Sequence, residues 1–257
     1  MPILHKKLLG RWFAVSVITA IAGAIVIAPA MAGYIPPTGS STPRRGSTGT
    51  NIVRGGGCSA ASTASLTALA PQSHIGQTAS LQPTFVWFNP EAGPYTVEFR
   101  IAEYLPDDSL KVIYRHDFTS VDRMDASGIS VFDLSETDIS LASDTVYRWQ
   151  VILVCNPNRP SESLVTASDI EVVNLPNALD MELATKTESS DRANLYAESG
   201  LWYDALAEAI NGSETGTNDV QIGLLETLVE LEGEAEGENG RNYGDRLQEV
   251  INVLYTP

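Results

Sequence analysis

Residues 84–173 alternate between apolar and polar positions in several separate runs. From Tyr95 to Ile101 every second residue is aromatic or aliphatic, and the run from Val146 to Cys155 keeps the same period. A period of two places successive side chains on opposite faces of a strand, so it is typical of half-buried antiparallel strands. The pattern therefore predicts strands at 84–88, 95–101, 111–118, 129–134, 146–155 and 165–173.

Turn-forming residues between these runs indicate how the strands are arranged. Asp, Asn, Pro and Gly cluster there at spacings that suit a β-sandwich. A parallel sheet would need a helix between consecutive strands, and the sequence shows no helical pattern in those places. We therefore expect an antiparallel, immunoglobulin-like β-sandwich over residues 58–175.

The hydrophobic period changes to that of amphipathic helices after Pro176. Apolar residues three or four positions apart predict a short helix after Pro176, a pair of helices that meet at Gly200, and two longer helices beyond them. Gly200 suits the left-handed position that ends many helices. Together these patterns predict an α+β protein, with a small α-helical module over residues 176–257 after the sandwich.

The two helices that meet at Gly200 carry the most distinctive pattern in the chain. Tyr196, Gly200, Trp202 and Ala205 fall at the relative positions of the tyrosine, glycine, aromatic residue and alanine of a tetratricopeptide hairpin. We therefore predict one tetratricopeptide-like hairpin and assign Tyr196, Trp202 and Tyr203 as partner-binding residues. The alternative is that Trp202 and Tyr203 seal these helices onto each other and onto the sandwich, because one hairpin cannot stack as a solenoid.

The first 32 residues have the features of a secretory signal peptide. A positively charged start precedes an apolar run from Trp12 to Ile27, and Ala30-Met31-Ala32 fits a signal peptidase site. The alternative is an uncleaved membrane anchor, although the run is shorter than the ~20 residues that span a bilayer. We expect cleavage of residues 1–32 and a periplasmic or extracellular location for the mature chain.

Residues 33–57 contain mostly Gly, Pro, Ser and Thr, which have little apolar surface to bury. This composition predicts a disordered, flexible linker. Arg44, Arg45 and Arg54 make the segment basic. The alternative interpretation is a docking arm for an anionic surface.

Net charge narrows the range of partners. The chain of 257 residues has a formal charge of −16, and removal of the signal peptide would leave 13 basic and 32 acidic residues, a charge of −19. An acidic protein is repelled by phosphate backbones and by anionic lipid. We therefore expect no nucleic-acid partner and no stable membrane insertion after cleavage of the signal peptide.

Cys58 and Cys155 are the two cysteines of the chain. Disulfides are common outside the cytosol, and a pair of cysteines in an exported chain is usually bonded. We predict a Cys58–Cys155 disulfide that joins the end of the linker to the end of the longest strand. The alternatives are two buried free thiols and pairing between chains.

Residues for catalysis or metal binding are sparse. After signal removal His74 and His116 are the remaining histidines, and the sequence contains no zinc-protease, serine-hydrolase or phosphate-loop motif. We expect His116 to pack in the core rather than to act as a base. Acidic runs such as 232–240 favour a solvated surface over a calcium site. The sequence thus predicts no enzymatic activity and no metal or cofactor.

Several ordered motifs mark residues 54–257. They are the Gly-Gly-Cys that ends at Cys58, segments 66–71 and 83–88, Tyr147-Arg-Trp149, and segments 154–157 and 195–206. Together these motifs resemble the cyanobacterial "domain of unknown function 928" family. The resemblance implies a cyanobacterial envelope protein with both cysteines on family motifs, and it implies no catalytic residue.

From these features we expect an exported, non-enzymatic envelope protein that acts as a protein-interaction module. Its expected partner is another envelope protein, bound at the hairpin and at the junction of the hairpin with the sheet. The alternative is a carbohydrate-binding or glycan-modifying β-sandwich, in which strand aromatics form an exposed platform. Core placement of these aromatics is favoured, because inward-facing aromatics dominate sandwich interiors. They are Trp87, Phe88, Tyr95, Tyr147 and Trp149.

Overall fold

The computed structural model of the chain describes residues 33–44, 58, 64–90, 95–118, 128–212, 219–235 and 238–255. These residues form an α+β structure in which the strands precede the α-helices. The predicted signal peptide, residues 1–32, lies outside the described residues. Within the part of the chain that is described, none of the helices has the length and apolar character needed to cross a membrane.

The strands in the described residues are β1 (Thr67–Ala68), β2 (Gly76–Thr78), β3 (Thr84–Asn89), β4 (Thr96–Tyr104), β5 (Leu110–Phe118), β6 (Gly128–Asp133), β7 (Thr145–Val154) and β8 (Leu164–Val172). They form a three-stranded sheet in the order β1–β3–β6 and a five-stranded sheet in the order β2–β8–β7–β4–β5. Neighbouring strands are antiparallel, except that β2 runs parallel to β8.

All six strands that the alternation predicts are present, each within two or three residues of its predicted bounds. The alternation does not predict β1 and β2, because two or three residues are too few to show a period. Both short strands lie at sheet edges, where they pair with one neighbour each.

The alternating faces determine which side chains enter the interior. On β4, Val97, Phe99 and Ile101 are buried, and on β7 the same holds for alternate residues from Tyr147 to Leu153. Aromatic rings join the two sheets: Phe85 of the three-stranded sheet has its ring centroid 5.0 Å from that of Phe99. The core interpretation of Trp87, Phe88, Tyr147 and Trp149 is therefore confirmed, since each is at most 5% exposed.

The α-helices in the described residues are α1 (Asn177–Leu183), α2 (Ser189–Glu198), α3 (Trp202–Asn211), α4 (Asp219–Glu234) and α5 (Glu238–Tyr255). The buried residues of α2 to α5 join those of the sheets in a hydrophobic cluster that includes Trp149, Trp202, Leu225 and Tyr243. Leu179 and Leu183 of α1 form a separate small cluster with Leu201. Part of the predicted acidic loop 232–240 is helical, and Glu232 is completely buried on α4.

Residues 33–44 differ from the flexible linker that their composition predicts. Tyr34 is 2% exposed and meets Trp202 edge-on, with ring centroids 5.0 Å apart. The backbone N–H of Ile35 donates to the carbonyl of Ala197 on α2. One aromatic residue and a few backbone bonds hold this segment on the helices, which a count of Gly, Pro, Ser and Thr does not reveal. Residues 45–57 lie outside the described residues.

The turn between α2 and α3 uses Gly200 in the left-handed region, with φ of +81°, as predicted. A side chain there would also meet the docked segment, because a Cβ atom on Gly200 would lie 2.9 Å from Cγ of Pro37. Glycine is therefore required at this position both for the turn and for the close approach of residues 33–44.

Candidate functional site

Two of the three predicted partner-binding residues lie inside the protein. Trp202 is 0% exposed and donates its indole N–H to the carbonyl of Leu69 at 2.9 Å. Tyr203 is 3% exposed; its hydroxyl accepts from the indole of Trp149 at 2.8 Å and donates to the carbonyl of Asp169 at 3.2 Å. Their burial corrects the assignment of these two side chains as partner contacts. It favours the alternative, in which they seal the helices onto the sheets.

Tyr196, the third predicted residue, is half-buried and lines a cavity of about 220 Å³. One wall of this cavity is a face of α3 and the other is the segment that joins β2 to β3. Side chains from α3 recur at helical spacing on the first wall, at Asp204, Ala207, Glu208 and Asn211. The structure thus places one predicted residue of the hairpin at an accessible site.

Both carboxylates of the cavity are already bonded to groups of the protein. Asp204 accepts the backbone N–H of Ala79 at 3.0 Å, and polar groups of Thr78 and Ser80 also favour its charged form. Burial raises the pKa of Asp204 to about 6, against the opposing effect of these donors. Glu208 accepts from the guanidinium of Arg192 at 2.7 Å. Asp204 thereby fixes the β2–β3 segment to α3.

A second polar cluster is largely buried and connects residues 33–44, the β1–β2 segment and α4. The hydroxyl of Tyr34 lies 2.8 Å from Nε2 of His74, and Nδ1 of His74 lies 3.0 Å from Oγ of Ser73. Ser73 in turn donates to Oε1 of Glu232 at 3.0 Å. Because the Ser73 proton goes to Glu232, His74 is neutral with its proton on Nδ1, and Tyr34 donates to Nε2.

Burial of this cluster disfavours the charged forms of both His74 and Glu232. Burial lowers the pKa of His74 to about 4. Burial also raises the pKa of Glu232, although the N–H groups of Gln72 and Ser73 donate to its Oε1. Oε2 of Glu232 is buried and has no hydrogen-bond partner among the described residues. The cluster is therefore a largely buried network that joins residues 33–44 and the β1–β2 segment to α4.

Replacing Glu232 with glutamine should change how stability depends on pH. The pKa of Glu232 is higher in the folded than in the unfolded protein. The free energy of unfolding of the wild type therefore falls as the pH rises from about 4 through the raised pKa, by ~1.4 kcal/mol for each pKa unit between the two states. Glu232→Gln keeps an acceptor at Oε1 and cannot ionise. The free energy of unfolding of the variant, relative to wild type, should therefore rise between acid and neutral pH in denaturant titrations.

The matched control for this prediction is Glu230→Gln, since Glu230 is exposed on the same helix. Its free energy of unfolding should keep a constant offset from wild type over the same pH range. A constant offset for Glu232→Gln as well would show that Glu232 ionises in the folded protein without cost.

The open side of the two sheets carries a third feature, which we call the edge surface: Tyr114, His116 and Phe118 of β5 with Phe132 of β6. All three β5 residues pair with β4 residues that face the interior, and their rings lie 5.4–5.9 Å from the ring of Phe132. The three-stranded sheet ends at β6 in the described residues, so β5 is only partly covered. His116 is exposed, and Tyr114 and Phe118 are half-exposed.

The edge surface corrects the expectation that His116 packs in the core. The alternation on β5 does place His116 on the inward face. Burial also requires a strand in the opposing sheet, and among the described residues the smaller sheet ends at β6 and covers β5 only in part. Alternation within one strand cannot show how many strands the facing sheet has.

Cys58 and Cys155 form the predicted disulfide. The bond joins the N-terminal segment that precedes β1 to the residue after β7, and both cysteines pack against the core. Pairing within one chain is therefore confirmed over free thiols and over pairing between chains.

Sequence reasoning did not single out Asp204 or Glu208, and it placed Glu232 in a solvated acidic loop, which its burial contradicts. Each is one acid among 32 acidic residues, and a surface position is the default for such residues. Asp204 and Glu208 do stand four positions apart on a predicted helix, which places them on one face. No comparable signal marks Glu232, whose burial depends on contact with the β1–β2 segment.

The protein is of the α+β class, with two sheets, a set of helices and one disulfide. Its accessible features among the described residues are the polar cavity and the edge surface. A family model described as Domain of Unknown Function (DUF928) matches residues 44–232. The match covers more than half of the chain, so the chain belongs to this family, as the motifs predicted. A search of the curated proteins finds no match to the chain.

Proposed function

We propose that this protein is an exported, non-enzymatic interaction module that contacts another envelope protein through the edge surface. The single observation that carries the proposal is the row of Tyr114, His116 and Phe118, which face the interior by register but remain partly exposed. Aromatic side chains are enriched at the centres of protein interfaces, where their burial supplies much of the affinity. Exposed apolar patches on a protein surface are typical of sites where a partner binds.

We further propose that the two sheets form an immunoglobulin-like sandwich, in which β1, β3 and β6 take the places of strands A, B and E. In that arrangement β4, β5, β7 and β8 correspond to C, C′, F and G, which the observed neighbours support. We propose that a strand of the partner lies beside β6 and covers the edge surface.

A strand from the partner would gain in two ways at this place. It would complete the backbone hydrogen bonds of β6, which is an edge strand in the described residues. It would also bury the rings of the edge surface, at about 25 cal/mol for each Å² of apolar area removed from water. Addition of a strand to a sheet edge is a recurring mode of peptide recognition.

Export of the protein, its periplasmic or extracellular location and its cyanobacterial origin are also part of the proposal. The Cys58–Cys155 disulfide supports export, because such bonds persist mainly in oxidising compartments. The sequence of residues 1–32 supports export through its charged start, apolar run and small residues.

We also propose that the α2–α3 pair is tetratricopeptide-like, and the left-handed conformation of Gly200 supports this.

A photo-crosslinking amino acid placed at position 116 tests the interaction directly. In envelope extract we expect the His116 position to give one or more protein adducts, because its side chain is exposed within the edge surface. Tyr114→Ser should lower the adduct yield about tenfold, equivalent to ~1.4 kcal/mol of binding energy. The measurement is the intensity of the adduct bands, with their identity read by mass spectrometry.

Position 253 is the control, since Val253 is 48% exposed on α5, away from the edge surface. The same crosslinker there should give none of the adducts that position 116 gives. Equal adducts from both positions, or none from position 116, would refute a contact at the edge surface.

A further inference from the structure

We propose that the cavity between α3 and the β2–β3 segment binds one ring of a neutral, hydroxyl-rich saccharide. This inference concerns a different part of the molecule from the edge surface and does not depend on the proposed interaction. It also differs from a sugar platform on the sandwich strands, because Trp87, Phe88, Tyr147 and Trp149 are buried and only Tyr95 is partly exposed.

The cavity lining supplies hydrogen-bonding groups of both kinds. Ser80 and Thr84 contribute hydroxyls, and Asn211 contributes a carboxamide on the α3 wall. The side-chain NH₂ of Gln82 donates to the carbonyls of Thr137 and Ile139, at 3.2 and 3.0 Å. These bonds fix the orientation of the Gln82 amide and leave its side-chain oxygen as an acceptor. A sugar hydroxyl both donates and accepts, so it pairs with each of these groups.

The carboxylates favour a neutral ligand over a cation. Asp204 already accepts the N–H of Ala79, and Glu208 is paired with Arg192. A cation would compete with these donors, and it would meet the positive charge of Arg192 beside Glu208. The bond from Arg192 is on Oε1 of Glu208. Oε2 is therefore the oxygen that can accept from a sugar hydroxyl.

The size of the cavity and its aromatic wall fit a single sugar ring. Its volume of about 220 Å³ lies below the roughly 300–1,000 Å³ of pockets for drug-sized ligands. The ring of Tyr196 forms part of the wall and has the guanidinium of Arg192 5.8 Å from its centroid. A rigid aromatic wall beside fixed polar groups is the common composition of a small-molecule site.

The fixed geometry of the site supports binding rather than a loose surface groove. Asp204 holds the β2–β3 segment against α3, and Gln82 is anchored by two bonds to the segment after β6. Groups that are already positioned lose less conformational entropy when a ligand binds. The polar lining is therefore in place before the ligand arrives.

Titration of the isotope-labelled protein with three probes tests the inference by backbone amide NMR. D-glucose and N-acetyl-D-glucosamine are the saccharide probes, and Nα-acetyl-lysine amide is the cationic probe. We expect at least one saccharide to give saturable shifts confined to residues 78–84 and to the facing part of α3. The lysine derivative should give none at that site.

Ala207→Leu adds a side chain to the cavity wall and should weaken saccharide binding about tenfold or more, or ~1.4 kcal/mol. Ala178→Leu is the matched control, because Ala178 is exposed on α1 and away from the cavity. The control should bind as wild type does. If Ala207→Leu impairs folding, Glu208→Gln against Glu198→Gln gives the same comparison, since Glu198 is exposed on α2 outside the cavity.

Absence of saturable shifts with both sugars would overturn the inference, as would shifts elsewhere on the protein or binding of the lysine derivative alone. Equal affinity of the cavity variants and their controls would also overturn it. Failure of the saccharide test is distinguishable from failure of the proposed interaction, because Ala207→Leu should leave crosslinking from position 116 unchanged. In the same way, Tyr114→Ser should leave saccharide shifts unchanged.

Discussion

Replacement of Trp202 with alanine should lower the free energy of unfolding by about 4 kcal/mol or more, one of the two largest effects that we expect. Loss of a fully buried tryptophan typically costs ~3–5 kcal/mol because it leaves a cavity. Trp202 is 0% exposed and also satisfies the carbonyl of Leu69, which the variant would leave without that donor. An unsatisfied buried acceptor adds ~1–3 kcal/mol.

The same variant tests whether helices and sheets unfold together. Trp202 lies in the cluster that joins α3 to both sheets, so its loss should destabilise the whole body rather than the helices alone. Denaturant unfolding followed by far-ultraviolet circular dichroism reports mainly the helices. In the variant, tryptophan fluorescence reports Trp87 and Trp149 in the sheets, whereas the wild type adds the signal of Trp202 on α3. We expect the two transitions to shift equally and to remain coincident.

Trp202→Phe is the control, since it keeps an aromatic ring and removes the indole N–H. It should cost less than the alanine variant by ~2 kcal/mol or more, because most of the buried volume remains. A sheet transition that stays at its wild-type midpoint while the helices melt early would contradict the shared core.

Removal of the Cys58–Cys155 disulfide is the second large effect. The two cysteines are 97 residues apart, and closing a loop of that length removes about 4–5 kcal/mol of entropy from the unfolded chain in the loop-closure model. Cys58→Ala with Cys155→Ala should therefore lower the free energy of unfolding by up to about that amount. Denaturant titration of wild type and of the double variant measures the difference.

Reductant provides the control for the disulfide prediction. Reduction should lower the stability of the wild type towards that of the double variant, and it should leave the double variant unchanged. Equal stability of the wild type and the double variant under oxidising conditions would show that the bond adds nothing to the fold.

Local sequence patterns are enough to predict most strands and helices, because the period of apolar residues is set by neighbours in the sequence. Alternation at Tyr95–Ile101 predicts β4, and apolar spacing around Tyr243 predicts α5. The cysteine pair predicts its own bond, since each of two cysteines in one chain has a single intramolecular partner. The family resemblance rests on the same short motifs.

The candidate sites were less predictable, because each depends on which elements face each other. His116 and Trp202 both lie at positions that a local pattern marks correctly as inward or as part of a hairpin. Their exposure is decided by the opposing element: β5 has no covering strand among the described residues, and α3 is covered by the sheets and by Tyr34. Glu232 became a buried acceptor in the same way, through the N–H groups of Gln72 and Ser73.

The sequence by itself determined the strand and helix pattern, the disulfide and the family, since periodicity, cysteine number and short motifs are properties of residues close together in the chain. Tertiary structure alone decided that residues 33–44 dock on the helices, that Trp202 and Tyr203 are interior, and that a polar cavity and an aromatic edge remain accessible. The physical reason is that burial is a property of pairs of surfaces, and the sequence of one surface does not specify what covers it.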